Sequence, residues 1–500
     1  MSEAAGRLGR NLRWLVGSEA VARAIGFFYT ALVGRLLGVE GFGLLSLSLV
    51  YSEIFALAIG MSFHEVFVRE VLQRKRDPGR LLGRMVRAQW VLAAVCLALA
   101  VGIGMLYEGS SRWLLPIAAG MGFARALART YFAVSVAQED FRPRSVYGAL
   151  DRLLALAAGL LLWSFSFGVV GLLAALFAGT IVTTLYAWGT VRSQLGSLRK
   201  LTTETGGESR RPEAFGAETP GAEAFGAETE GSNLPWRPLL REGLSFSAVR
   251  WIGVVHNRVD QLILQSFIGP AALGIYSAAY RLMEVFKIVP NVAEQTLFPG
   301  YSKLAPDGRG RVQAVGRAVH TLLAVVVPLV VAAWTLDRAA VVLVFGSEFA
   351  EAARPWTILM LVMVMFALSR PFLVLLRASG DLRTANVFSA IAVVVNIVAN
   401  LFWIPKYGPT GAALATLISE GTFVLLCLAT RAEFLPEIGR RLVRLVPATA
   451  ACIALAFALR GVNVWLAAVT AGLVYLAILW ATGFSAAERR DLQAALRGGA

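Results

Sequence analysis

Apolar stretches of membrane-crossing length follow one another along nearly the whole chain. They fall at about 11–36, 41–63, 85–107, 113–136, 147–167, 169–191, 244–268, 272–300, 318–336, 356–377, 385–404, 410–430, 445–460 and 463–482. A helix needs about 20 apolar residues to cross the hydrocarbon core of a bilayer. The pattern therefore predicts an all-α membrane protein with fourteen transmembrane helices. Arg7, Arg10, Arg13, Glu19 and Arg23 interrupt the first stretch, which is expected to be a retained span and not a cleaved leader.

Composition removes the soluble classes. Hydrophobic residues make up 57% of the 500 and charged residues only 16%, against about a quarter charged in soluble domains. The net charge of +15 is mostly a matter of placement. With the N-terminus inside, the loops at about 64–87, 137–146, 192–241, 301–317, 377–384 and 431–444, with both tails, hold 31 Lys and Arg residues. The opposite side holds five: Arg112, Arg338, Arg354, Lys406 and Arg460. Basic residues resist export and mark the cytoplasmic face, so both termini are expected there. They are scattered over separate loops without a recognition motif, which argues against a nucleic-acid partner. Cys96, Cys427 and Cys452 lie in apolar runs at no metal-ligand spacing, and the chain has no P-loop. No metal, no cofactor and no direct use of nucleotide is expected.

Residues 201–238 break the pattern with Thr, Glu, Gly and Pro, and the run EAFGAET at 213–219 returns at 223–229. Such a segment cannot bury a core. The expected organisation is an N-lobe of six spans over 1–192 and a cytoplasmic linker over 193–243. A C-lobe of six spans over 244–430 follows, then two further spans and a tail over 431–500. The two lobes resemble each other. GRLLGVEGFGLLSLSLVYSEIF at 34–55 aligns with QSFIGPAALGIYSAAYRLMEVF at 265–286, matching Gly38 to Gly269, Gly43 to Gly274, Ser46 to Ser277, Glu53 to Glu284 and Phe55 to Phe286. Asp140, Arg142 and Val146 likewise match Asp381, Arg383 and Val387, and paired glycines recur at Gly168 with Gly171 and Gly408 with Gly411. Parallel repeats of this kind expose a central site alternately to the two sides of a membrane.

Twelve charges fall near the middle of predicted spans: Glu19, Arg23, Glu53, Arg125, Arg129, Arg250, Arg258, Asp260, Arg281, Glu284, Lys287 and Glu420. At about 3 kcal/mol each, such charges facing lipid would cost roughly 36 kcal/mol, well beyond the about 5–15 kcal/mol of a typical fold. They are expected to face one another or a hydrated interior. At 100° per residue, Arg250, Asn257 and Gln261 share one helical face with Arg258 and Asp260 at its edges. Ser277, Arg281, Glu284, Lys287, Asn291 and Glu294 share another. Glu19 with Arg23, and Arg281 with Glu284, could be local pairs. Arg125 and Arg129 have no carboxylate within a helical turn or two. Seven cations against five anions favour an anionic ligand, and guanidinium suits phosphate or carboxylate bidentately. Asp260, Glu53, Glu284 and Glu420 are candidates for ion coupling, or counter-ions that make a neighbouring arginine tolerable.

The runs ARAIGFFYTALVGRLLGVEGFGLLSLSL, NRVDQLILQSFIGPAALGIYSAAYRLMEV, RASGDLRTAN and IPKYGPTGAALATLISE resemble bacterial polysaccharide-export proteins. These are the O-antigen-type oligosaccharide flippases of the multidrug, oligosaccharidyl-lipid and polysaccharide exporter superfamily. The resemblance covers about residues 8–430. It implies two six-helix lobes that alternate between inward-open and outward-open states in the bacterial inner membrane. It implies a polyprenyl-diphosphate-linked glycan as substrate, with other polysaccharide-assembly proteins as partners. It places Arg23, Arg250, Arg258 and Arg281 in a cationic lumen, to which the charge pattern adds Arg125 and Arg129, and it puts Asp260 at a recurrent acidic position. No catalytic residue is expected.

Three other readings compete. A cation-coupled exporter of drugs or small molecules would share the fold but favour a lumen rich in carboxylates. A peptidoglycan-precursor flippase would share fold and ligand chemistry. A membrane glycan polymerase or ligase would need a larger external loop than the one at about 337–355.

Overall fold

The computed structural model describes residues 2–73, 77–106, 109–138, 140, 142–165, 167–204, 236–304 and 309–484, with side chains from 25 onward except at some helical positions. The described residues are nearly all helical and contain no strand. In chain order the helices are α1 Ser2–Gly60, α2 Phe63–Leu72, α3 Pro78–Gly104, α4 Leu114–Ala137, α5 Arg142–Phe165, α6 Gly168–Glu204, α7 Trp236–Phe267 and α8 Pro270–Phe286. They continue with α9 Ile288–Ser302, α10 Arg309–Phe345, α11 Ala353–Ala378, α12 Leu382–Tyr407, α13 Pro409–Thr430, α14 Leu435–Val443, α15 Val446–Arg460 and α16 Val464–Ile478.

Each predicted apolar stretch coincides with a helix, yet length and apolarity alone identify nine membrane-crossing helices among the described residues, or ten if the bent pair α14 and α15 counts as one span. Two causes account for the difference from fourteen. The first two stretches count together with α2 as Ile25–Leu72 although the backbone breaks at Gly38 and at Met61 and Ser62, and the charged helices α4, α7 and α8 are not among the nine. The eighth stretch is also not one helix, because α8 and α9 part at Lys287. Most of the segment expected at 201–238 lies outside the described residues.

Contacts divide the chain into two compact units. The first comprises residues 1–29 and 48–255, the second 30–47 and 256–500. In the first unit α4 is central and packs on α2, α3 and α6, while α5 lies on α6. Phe63, Val66, Phe67, Leu81, Leu82, Met85 and Val134 form a buried core there. Trp90, Val91, Val95, Leu99, Trp163 and Leu185 are exposed, as suits helices solvated by lipid tails. In the second unit α11 packs on α8, α9, α10 and α13, and α12 pairs with α13. The pair α15 and α16 leans on α10.

The internal repeat has physical content in this fold. Gly38 and Gly269 both take positive φ, 66° and 110°, which an L side chain rarely adopts. Each starts a helical segment, residues 39–60 of α1 and α8, and the two segments cross within the second unit. A Cβ on Gly43 would lie 1.8 Å from the carbonyl oxygen of Pro270, and one on Gly274 1.9 Å from that of Val39. Since 39 and 270 differ by the same 231 as 43 and 274, the repeated motif meets its own copy reciprocally, backbone on backbone. The matched aspartates also do the same work, each in its own unit. Asp140 accepts from the backbone nitrogen of Arg142 at 3.1 Å and from Gln194 on α6 at 3.3 Å. Asp381 caps α12 through the nitrogen of Thr384 at 3.3 Å and holds Arg431, just after α13, at 2.9 Å.

Candidate functional site

Three local features of the first unit gather its arginines. Met61 and Ser62 take positive φ, 38° and 50°, which ends α1 and places His64 and Glu65 on the first turn of α2. Gly122 lets α4 lie on the backbone of α1, since a Cβ there would sit 2.8 Å from the Ser52 carbonyl oxygen. One turn on, Arg125 donates to the Ser52 hydroxyl at 3.1 Å. Gly243 brings α7 against the break, with a Cβ there only 2.8 Å from the Met61 carbonyl oxygen, and Ser247 Oγ meets Ser62 Oγ at 3.3 Å.

Two turns beyond Gly243, Arg250 Nη1 donates to His64 Nε2 at 3.0 Å and to Glu65 Oε1 at 3.4 Å. A guanidinium only donates, so His64 Nε2 accepts and the ring is neutral, with its proton on Nδ1. Arg129, one turn after Arg125, is exposed and lies in the field of Arg250, Arg125 and Glu53. His64 lies in the field of Arg250, Arg129 and Arg144. Among the described residues no ion pair engages Arg125 or Arg129.

The second unit treats its charges differently. Asp260 on α7 is buried, and its two oxygens accept from the Tyr276 hydroxyl at 2.5 Å and from the backbone nitrogen of Gln261 at 2.8 Å. Arg281 and Glu284 form a pair at 2.7 Å on one face of α8. Arg258 acts on both Asp260 and Glu284. His256 faces Glu420 at 3.6 Å. Lys287 donates to the Tyr280 hydroxyl at 2.7 Å and lies over the Tyr280 ring. Glu294 on α9 holds Arg377 at 2.5 Å and Arg370 at 3.8 Å, and Arg370 stacks on Phe366.

Of the residues singled out in the sequence, Glu53, Arg125, Arg129 and Arg250 gather in the first unit. Arg258, Asp260, Arg281, Glu284 and Glu420 belong to the second. The side chains of Glu19 and Arg23 lie outside the described residues. His64, Glu65 and Arg144 were hidden because the apolar pattern puts 64–87 and 137–146 in loops, whereas α2 continues to Leu72 and α5 starts at Arg142. The spacing of Phe63, Val66, Phe67 and Val71, all buried, is the helical signal that could have extended the second span. Among the described residues no cluster of His, Cys, Asp or Glu could hold a metal ion.

The fold recurs in solved transporters. A lipid II flippase, MurJ, in an inward closed conformation superposes with a TM-score of 0.70 at 14% identity, covering 93% of this chain and 98% of that one. An inward-facing multidrug resistance MATE family transporter of the MOP superfamily gives 0.59 at 13% identity, covering 83% and 95%. At these identities the likeness concerns the fold. The chain is also 21% identical over 362 residues to the succinoglycan biosynthesis transport protein ExoT of Rhizobium meliloti (strain 1021), covering 70% of this chain and 64% of that protein. It is 26% identical over 172 residues to a probable flippase, AglR, of Haloferax volcanii, covering 33% and 35%. The chain thus spans less than two thirds of the length of these curated relatives. Residues 8–305 match the sequence profile of one family over more than half of this multi-pass membrane protein, and the chain belongs to that family, the polysaccharide biosynthesis proteins.

Proposed function

We propose that this protein is a transporter that carries a polyprenyl-diphosphate-linked oligosaccharide from the cytoplasmic to the outer leaflet of the bacterial inner membrane, for cell-surface polysaccharide biosynthesis. Arg125, Arg129 and Arg250 receive the diphosphate. The single observation that carries this reading is that Arg125 and Arg129 sit one turn apart on a helix of the membrane domain with no ion pair among the described residues. Like charges so placed call for water and an anion, and a diphosphate offers several oxygens to planar donors. The prenyl chain stays in lipid. Exposure of the site to one leaflet and then the other moves the headgroup, with both termini on the cytoplasmic side, an orientation that the basic loops support.

The reaction makes and breaks no covalent bond, so no residue is given a catalytic role. Direction must come from an ion gradient, the membrane potential or consumption of the product outside. The two-lobe organisation over 1–192 and 244–430 belongs to this proposal, as does a partnership with other polysaccharide-assembly proteins.

The test is complementation of a strain lacking the protein. Arg125→Ala/Arg129→Ala is expected to abolish surface polysaccharide while membrane levels stay normal, and lipid-linked oligosaccharide should accumulate inside. Wild-type surface polysaccharide from that variant would refute the reading. Restored efflux of a cationic dye, with unchanged polysaccharide, would point to a drug exporter instead.

A further inference from the structure

Arg250 already holds an anion in this structure, and that anion belongs to the protein. We propose that Glu65 and His64 form an internal substitute for the substrate's diphosphate on Arg250, and that the pair takes up one proton when the diphosphate displaces it. The inference rests on the reading above, in which Arg250 binds the diphosphate.

The geometry ties the exchange to a proton. Arg250 Nη1 is shared between His64 Nε2 at 3.0 Å and Glu65 Oε1 at 3.4 Å, and those two acceptors are 3.6 Å apart. The other carboxylate oxygen, Glu65 Oε2, is buried and makes no hydrogen bond among the described residues. If Arg250 turns to a diphosphate, His64 Nε2 and Glu65 Oε1 lose their common donor, and Glu65 is left beside a second, multiply charged anion. Glu65 keeps partial access to water, its side chain being 40% exposed, but its buried oxygen gains no donor and a second anion beside it repels it. One proton from solvent, held between Oε1 and Nε2, replaces the guanidinium and removes the repulsion between the two anions. The site can accept it because both acceptors lie on one turn and neither needs to move far.

The surrounding charges set the direction. Arg250 of α7, Arg129 of α4 and Arg144 of α5 act on His64. Arg125 of α4, Glu53 of α1 and Tyr147 of α5 act on Arg129, and Asp151 of α5 acts on Tyr147. Arg69 and Glu70, on the next turn of α2, pair with each other at 3.2 Å. These three arginines give the empty site a positive field. A bound diphosphate cancels that field, so anion and proton favour each other. By reciprocity, a proton on the pair strengthens anion binding by the same factor that the anion strengthens proton binding. Substrate loading would then carry one proton into the site, and discharge would release it.

Farnesyl diphosphate, binding to the purified full-length protein, is the probe. Calorimetry in two buffers of different ionisation enthalpy counts the protons taken up, between about pH 6 and about pH 8. The wild type is expected to take up close to one more proton than His64→Gln/Glu65→Gln, and its affinity should fall by up to about tenfold per pH unit more steeply than that of the variant. Glu65→Gln alone, nearly isosteric, should bind more tightly than wild type at the alkaline end. Equal proton counts in wild type and double variant would overturn the inference while leaving the diphosphate reading intact. A wild type that binds no farnesyl diphosphate would instead overturn the reading itself, and the inference with it. Thermal unfolding of each variant separates loss of binding from loss of fold.

Discussion

The two units hold similar numbers of intramembrane charges and handle them in opposite ways. In the second, carboxylates and ring faces hold the cations. Arg281 has Glu284, Arg370 and Arg377 share Glu294, and Lys287 lies against Tyr280. Asp260 is buried under hydrogen bonds from Tyr276 and Gln261. In the first, Arg125 has a hydroxyl, and Arg250 shares an imidazole and a carboxylate whose other oxygen has no hydrogen bond among the described residues. The contrast teaches that an arginine count does not locate an anion site. On the proposed reading pairing does, because a guanidinium held by a carboxylate, closely as in Arg281 or more loosely as in Arg250, must lose that partner before it can bind another anion.

The sharpest way to break this contrast is to give the first unit the pairing of the second. Arg129→Glu would put a carboxylate four residues from Arg125, within reach of a helical ion pair. Transport is expected to fall at least roughly a hundredfold, the equivalent of losing about 3 kcal/mol of charged hydrogen bonding, with membrane insertion unchanged; radiolabelled lipid-linked oligosaccharide transfer in vesicles would show it. A variant that transports normally would mean that pairing is irrelevant.

The reciprocal glycine crossing gives the next effect, on stability. Gly43→Ala and Gly274→Ala each drive a Cβ into a backbone carbonyl at under 2 Å, which cannot be relieved by turning a side chain. Each should cost about 1–3 kcal/mol, read as a lower midpoint in thermal unfolding. Gly189→Ala, whose Cβ meets nothing within 4 Å, is the matched control and should be neutral or slightly stabilising. A smaller loss, about 1 kcal/mol, is expected for Arg35→Ala. That side chain crosses from the middle of α1 to cap the last turn of α10, donating to the carbonyls of Val344, at 2.9 Å, and Leu343.

The smallest effect is in the second unit. The coupling between Arg281 and Glu284, both about one-third exposed, should come to about 0.5 kcal/mol in a double-mutant cycle. A coupling several times larger would indicate that the pair is desolvated and as tightly built as Asp260 with Tyr276.

Much of the fold was legible in the chain itself. Apolar length placed a helix at each of the fourteen predicted stretches, and the repeat offset found Gly38 with Gly269 and Gly43 with Gly274 before their shared backbone geometry was visible. The membrane-crossing count was less legible, because the first two stretches count together with α2 across the breaks at Gly38 and at Met61 and Ser62, and charge dilutes the apolarity of α4 and α7. Arg125 and Arg129 were readable as cations without a nearby carboxylate in sequence, and they remain without an ion pair among the described residues. His64 and Glu65 were not readable, since apolar length stops at residue 63 and only the break at Met61 and Ser62 turns them towards Arg250. Sequence spacing likewise cannot reveal a partner such as Glu294 for Arg377, 83 residues away. Pairing across long separations is a property of packing.

The most direct measurement is the rate of lipid-linked oligosaccharide flipping in proteoliposomes at matched protein density, compared between Arg125→Ala/Arg129→Ala and Arg281→Ala. The account predicts that the first variant is slowed at least roughly a hundredfold and the second less than about tenfold. The reverse order, with the first unit's arginines dispensable and Arg281 essential, would contradict it.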